Sequence, residues 1–350
     1  MTRRPDAARL PWITGGFALV LGLTMLAGVL TGPAVIGLTD LLNLLVRPWR
    51  GLWQAGGLPP LDWQDTILWQ VRLPRVLTGA LVGAALAVSG AVLQGLFRNP
   101  LASPSVLGVA SGASLGAVIA IFFGLAVTQA WALPVFAFAG ALLTLFLVYA
   151  IATHRGHTPI GTVLLAGIAV GAFNTAISSF VLALALERWE VGRSIVYWTM
   201  GGLDGRTWDH VLLLMPIVAA GLALVLAFQR ELDALLVGEV HAVATGVDVA
   251  RTRLVLLVTT AVLTGAAVSV AGGIGFIGLV VPHMVRLLIG PHHRALLPLS
   301  ALGGGFVLVA ADLTLRSGFA EHNIPLGVVT AAMGAPFFLF LLLRQQGRMG

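Results

Sequence analysis

Apolar runs of about 20 residues recur along the whole chain, separated by short polar or Gly/Pro-rich breaks. A helix needs about 20 mostly apolar residues to cross the ~30 Å hydrocarbon layer of a membrane. The pattern predicts ten such spans, near 12–32, 75–97, 106–126, 130–153, 162–186, 209–228, 253–272, 276–290, 297–316 and 325–344. An even number of spans puts both termini on one side. Three non-spanning stretches stand between them. Residues 33–74 include an apolar-polar segment from Val35 to Trp49. Residues 187–208 mix aromatics with both charge signs, as an interfacial segment does. Residues 229–252 form the longest polar stretch on the N-terminal side, and their apolar spacing predicts two short helices broken near Gly238 and Gly246.

Composition sharpens this picture. Hydrophobic residues make up 58% of the chain and charged residues only 10%, whereas a soluble surface is about a quarter to a third charged. One signal peptide or one anchor cannot account for so many runs. The N-terminal Arg3 and Arg4 before an apolar run resemble a signal peptide, but the run is long enough to span and is read as the first helix. The 43 glycines fit a membrane bundle, where small residues let helix backbones approach closely. The chain has no Cys, which removes disulfides and thiolate chemistry. All 20 basic residues are Arg; without Lys there is no Walker A loop, and the chain cannot hydrolyse ATP by that route. The net charge of +6 does not signal nucleic acid, because the arginines are scattered between apolar runs as topology signals.

With the N-terminus inside, twelve of the 20 arginines fall on the inner side. The other eight, Arg47, Arg50, Arg72, Arg75, Arg188, Arg193, Arg206 and Arg316, fall outside. The balance favours both termini in the cytoplasm, and the outer excess asks for another explanation.

The chain also resembles itself. A shift of 182 residues places Gly83-Ala84-Ala85 on Gly265-Ala266-Ala267, Val88 on Val270, Gly90 on Gly272, Pro100 on Pro282 and Gly108 on Gly290. Span two then maps to span seven, an odd offset, so the repeats run in opposite directions. Inverted repeats are a transporter architecture.

Several motifs reduce to packing or anchoring. Gly273 to Gly278 matches G-x-G-x-x-G, but it joins two apolar helices, and no acidic residue occurs from 273 to 311. A dinucleotide site needs a preceding strand and an acidic residue about 20 positions on. Gly79 with Gly83, and Gly108, Gly112 and Gly116, are helix-packing motifs. Asp312 and Arg316 lie four apart on one helix face and form an intrahelical pair. His283, His292 and His293 cluster without a nearby carboxylate in sequence, a weak metal signal. Arg72 and Arg75 flank Pro74 on the side where Arg is disfavoured, which admits a partner-docking role beside plain interfacial anchoring. Apart from Asp312 the spans are almost free of carboxylates. Ion-coupled carriers place ionisable residues inside spans, so the driving energy is expected to come from elsewhere. No catalytic constellation is present.

The segment 72–116, RLPRVLTGALVGAALAVSGAVLQGLFRNPLASPSVLGVASGASLG, resembles the permease family of iron-chelate and cobalamin ABC importers, the FecCD-like permeases. So do 164–171, 197–208, 272–288 and 324–342, in family order over nearly the whole chain. The resemblance implies an all-α membrane fold of about ten helices with an inverted repeat, residues 1–350 forming a single permease domain. It implies a dimer with a second permease copy, two cytoplasmic ATPase subunits that hold ATP-Mg, and a periplasmic binding protein. This chain would bind no cofactor or metal and would be no enzyme. By the same resemblance, loop 229–252, with Leu236, Gly238, Glu239, Ala242 and Gly246, forms the coupling helices. Arg72, Arg75 and Arg316 receive acidic residues of the binding protein. Asn99 and Leu101, with Ile160 and Gly161, fall at cytoplasmic constrictions; small hydroxyl residues of the cobalamin permease stand where Ile160 and Gly161 do here. The expected cargo is a ferric siderophore, with haem and cobalamin as alternatives.

Overall fold

In a computed structural model the described residues are 10–32, 63–129, 131–153, 159–319 and 322–346. The segment Val35 to Trp49, which includes Arg47, lies outside them, as does Arg50 just after it. Among the described residues the regular elements are helices. They are α1 (Leu10–Leu30), α2 (Leu73–Leu96), α3 (Val109–Phe122), α4 (Ala132–Ala152), α5 (Ile160–Ala185), α6 (Trp189–Met200), α7 (Trp208–Ala227), α8 (Gln229–Val237), α9 (Glu239–Ala244), α10 (Val249–Ala271), α11 (Ile277–Ile289), α12 (His293–Gly318) and α13 (Leu326–Gln346). A short π-helical stretch, Ile67–Arg72, leads directly into α2.

Seven helices are long and apolar enough to cross a membrane: α1, α2 with its lead-in, α4, α5, α7, α10 and α12. The shorter apolar helices α3, α11 and α13 complete the ten expected spans. Residues 187–208, the expected interfacial segment, carry the 12-residue helix α6, which buries Gly192 and Ile195.

α2, α10 and α12 form the buried centre, while α1 and α5 stand mostly exposed. Small residues make this possible. A Cβ on Gly83 would stand 2.1 Å from the carbonyl oxygen of Gly304, so α2 and α12 meet backbone to backbone. α3 meets α4 in the same way, through Gly112 against Gly140. Such approach replaces the hydrophobic drive that lipid removes.

The helix pairings repeat. α2 packs on α12 and α11, as α10 packs on α4 and α3; α3 packs on α4 and α5, as α11 packs on α12 and α13. Helices α2 to α5 therefore correspond to α10 to α13. The residue register of the 182 shift holds only in part. α2 continues to Leu96, whereas α10 stops at Ala271, where Gly272 turns to φ 69° and Phe276 to φ 65°. The G-x-G-x-x-G run is thus a non-helical junction up to Phe276, and its last two residues open α11. There the Gly202 N–H donates to the Ala271 carbonyl at 2.9 Å and the Leu326 N–H to the Gly201 carbonyl at 3.0 Å. Backbone outside a helix is tolerated at membrane depth only where protein buries it and fills its hydrogen bonds.

Candidate functional site

The sequence-selected residues gather at the two ends of the α2–α12 pair. At one end α2 begins and α12 finishes, which brings Arg75 beside Asp312. Arg75 Nε donates to both carboxylate oxygens at 3.1 Å, and its Nη2 donates to Oδ1 at 2.7 Å. Arg316 Nε donates to Oδ2 at 2.9 Å. The expected intrahelical pair is present, and Arg75 is its further, non-local member. Asp312 is 2% exposed, and a buried carboxylate is tolerable only when paired and hydrogen-bonded in this way. Arg75 also pairs with Asp204, whose side chain is 84% exposed on the turn between α6 and α7. Arg206 follows on the same turn. Burial pulls its guanidinium below the ordinary pKa, and Asp204 offsets part of that. Arg75, Asp204, Arg206, Asp312 and Arg316 line a cavity of about 650 Å³, walled on its apolar side by Tyr197, Trp198, Ile324 and Pro325.

Arg72 is placed differently. It is 3% exposed, and its Nη1 donates to the carbonyls of Val29 at 2.9 Å and Leu30 at 2.8 Å. Arg316 Nη1 reaches the Thr31 carbonyl at 3.1 Å. Both arginines therefore satisfy carbonyls at the end of α1, where a cation is favoured by the helix dipole. Arg72 thus sits inside the bundle against the end of α1, while Arg75 and Arg316 lie at the cavity. Asp204 and Arg206 were missed as site residues. Arg206 was counted among the outer arginines, but no spacing rule ties Asp204 to Arg75 across 129 positions.

At the opposite end, residues 229–252 form α8 and α9, broken at Gly238 with φ 149° and followed by Gly246 with φ 84°, as the spacing predicts. Glu239 is half-exposed and pairs with Arg253 at 2.7 Å. Ala242 is fully buried and anchors α9 inward. Leu236 is half-buried and Gly246 exposed. Val237, Val240 and Val243 face outward, exposed by 68%, 86% and 61%, beside exposed Glu239, His241 and Thr245. Arg98 lies against Gly238, so the turn after α2 adjoins this loop.

That turn holds Asn99 and Leu101. Asn99 Oδ1 accepts the Leu101 N–H at 2.9 Å, and Leu101 is 38% exposed. Gly161 stands in the first turn of α5, and a Cβ added there meets open space. The side chain of Ile160 lies outside the described residues. One copy of the chain therefore does not bring Gly161 onto a facing wall. Beneath α8, Asp233 bonds to His293; burial would raise its pKa, but the bonds from His293 hold the carboxyl below its ordinary range. Among the described residues no group of three or more His, Cys, Asp or Glu could hold a metal ion.

The FecCD transport family model matches residues 19–344. The cobalamin import system permease protein BtuC of Halobacterium salinarum is 50% identical over 305 residues, 86% of this chain and 81% of that protein. The Fe(3+) dicitrate transport system permease protein FecD of Escherichia coli is 39% identical over 332 residues, 94% of this chain and 99% of that protein. A solved metal-chelate type ABC transporter in an inward-facing conformation matches with a TM-score of 0.83 at 31% identity, covering 95% of this chain and 99% of that one.

Proposed function

The chain belongs to the FecCD transport family, and from that premise we propose that it carries a metal chelate, cobalamin before ferric siderophore or haem, into the cytoplasm. It is the membrane-spanning permease subunit of an ABC importer and not itself an enzyme. The order of cargoes departs from the sequence expectation of a siderophore. Cobalamin moves first because the relative at 50% identity is a cobalamin permease, while the iron-dicitrate relative stands at 39%.

The observation that carries the mechanism is the pair of unlike ends on α2 and α12. Val237, Val240 and Val243 of α8 and α9 are apolar and exposed, on either side of the break at Gly238. On this reading a cytoplasmic ATPase covers them and supplies the ATP-Mg chemistry, with both chain termini on the same side. The Arg75–Asp312–Arg316 cluster then faces the periplasm and receives carboxylates of the binding protein. Charge at such a rim speeds encounter and fixes orientation more than it adds affinity.

α5 supports a pathway along a two-fold axis between this chain and a second copy. Ala172, Thr175, Ala176 and Ser179 are all exposed at positions i, i+3, i+4 and i+7. This is a strip of small, weakly polar side chains in mid-span, flanked by exposed Phe173 and Phe180. A lipid-facing helix has no use for it, whereas a bulky, weakly charged chelate sliding past needs small residues and few fixed charges. Asn99, Leu101 and Gly161 close the cytoplasmic end when the second copy supplies the facing wall.

The test is uptake of labelled cobalamin, ferric siderophore and haem in cells lacking only this chain, and in cells lacking only the partner ATPase. Loss of cobalamin uptake in both strains is expected. Loss of siderophore or haem uptake alone would reassign the cargo, and ligand uptake that persists without the ATPase would sink the importer reading.

A further inference from the structure

One joint belongs to neither docking set. α12 begins at His293, and its N-cap residue His292 makes no side-chain capping bond. The first N–H groups of a helix lack partners within it, and the dipole favours negative charge there. Here the carboxylate comes from another element. Asp233 of α8 accepts the His293 backbone N–H at 2.9 Å, and the same oxygen lies 2.7 Å from the His293 ring Nδ1. His292 Nδ1 stands 3.5 Å from the second oxygen. The His293 ring is 0% exposed. A bond donated from Nδ1 to a carboxylate leaves Nε2 as a bare lone pair in the neutral ring. That Nε2 is buried without a partner and faces α2 at Gly95, where a Cβ would stand 2.4 Å away.

Gly95 is also where the candidate gate turn begins. The Arg98 N–H donates to the Gly95 carbonyl at 3.2 Å, and the Asn99 N–H to the Gln94 carbonyl at 3.2 Å. α8, the His293 ring and the Asn99–Leu101 turn are therefore in unbroken contact. Further along, α2 and α12 lock through Gly83 and Gly304, and at their far end Arg75 is tied to Asp312. α12 has 26 residues, a length of about 39 Å at 1.5 Å per residue. Energetic coupling over such a distance travels through packed, stiff elements with defined joints.

We propose that the Asp233–His293 joint carries the movement of α8 into the α2–α12 pair, making both residues positioning residues for coupled transport. The proposal rests on the importer reading above. Val237, Val240 and Val243 would receive the ATPase; Asp233 and His293 would pass its movement on to the gate turn and the Arg rim. Unlike the exposed valines, His293 is fully buried and Asp233 is 29% exposed.

The experiment reconstitutes the whole importer in liposomes, with the chain, its ATPase and its binding protein, and compares Asp233→Ala, His293→Leu and His293→Asn. The Asn side chain offers an N–H near the place of Nδ1–H. ATPase co-purification and basal hydrolysis are expected within about twofold of the parent. Stimulation of hydrolysis by loaded binding protein, and ligand moved per ATP, are expected to fall about tenfold in the first two variants. His293→Asn is expected to recover most of both. If Asp233→Ala yields no protein, Asp233→Asn keeps an acceptor for the backbone N–H and takes its place. Unchanged transport per ATP in Asp233→Ala and His293→Leu would overturn the proposal. So would a transport loss that only tracks lost co-purification. A parent complex whose hydrolysis ignores the loaded binding protein would instead remove the importer reading, which separates the two failures.

Discussion

At one end of the α2–α12 pair the charged groups face each other; at the other, apolar groups face outward. Arg75 and Arg316 spend most of their donors on Asp312 and on the end of α1. Val237, Val240 and Val243 spend nothing on the fold. The contrast teaches how each end can meet a partner. A network that already engages most of its donors internally gives little net affinity and can be rearranged by a competing carboxylate. An uncovered apolar face gains about 25 cal/mol for each Å² it buries and favours lasting attachment. The same helices thus suit a transient partner at one end and a resident one at the other.

Breaking the closed end should have the largest effect. Asp312→Asn leaves two mostly buried guanidinium groups without their shared anion. Loss of one member of a buried pair costs about 3–5 kcal/mol, and thermal unfolding in detergent should show a marked fall. A melting point unchanged from the parent would mean that water already screens this cluster.

At the open end the expected loss is in association and not in folding. Val240 is 86% exposed, so Val240→Glu should leave the melting point almost unmoved. Co-purification of the ATPase should fall by about tenfold or more. Retained co-purification would place the resident partner elsewhere.

Arg72 sharpens the comparison from within. Arg72→Gln should cost about 1 kcal/mol through the lost cap on α1, while binding-protein docking stays as it was. Docking that weakens with stability preserved would return Arg72 to the rim set.

The smallest expected effect has the most informative sign. Asp204 is exposed and competes for Arg75, whereas Asp312 is buried and permanent. Asp204→Asn should free one side of Arg75 and tighten docking of an acidic binding protein by about threefold at low salt. The gain should vanish as salt screens the rim. Weaker docking would show that Asp204 positions Arg75 for the partner.

Much of this was readable before any fold. Hydropathy alone placed ten spans within a few residues, because a membrane helix must satisfy its own backbone and therefore announces its length. The break at Gly238 was readable too, since φ 149° is open to glycine and closed to nearly all else. The Asp312–Arg316 pair followed from a spacing of four. The repeat was found in sequence, but its register slipped where α10 stops at Gly272 while α2 runs on to Leu96.

Direction and distant partnership were another matter. Arg72 and Arg75 share one motif around Pro74, yet one turns inward to cap α1 and the other joins Asp312. Residues three apart in one α-helix share a face, but Arg72 closes the π-helical stretch while Arg75 lies in α2, and what waits beside each belongs to another helix. Ala242, inside the coupling segment, is buried as an anchor, while the valines around it are exposed. Asp233 and His293 lie 60 positions apart, and nothing local in either hinted at the other. The sequence determined that the chain spans a membrane, where its helices break and how its halves pair, because those depend on local hydrophobicity and backbone freedom. The tertiary structure decided which charges close on themselves and which faces stay open, because those depend on what other helices bring within a few ångströms.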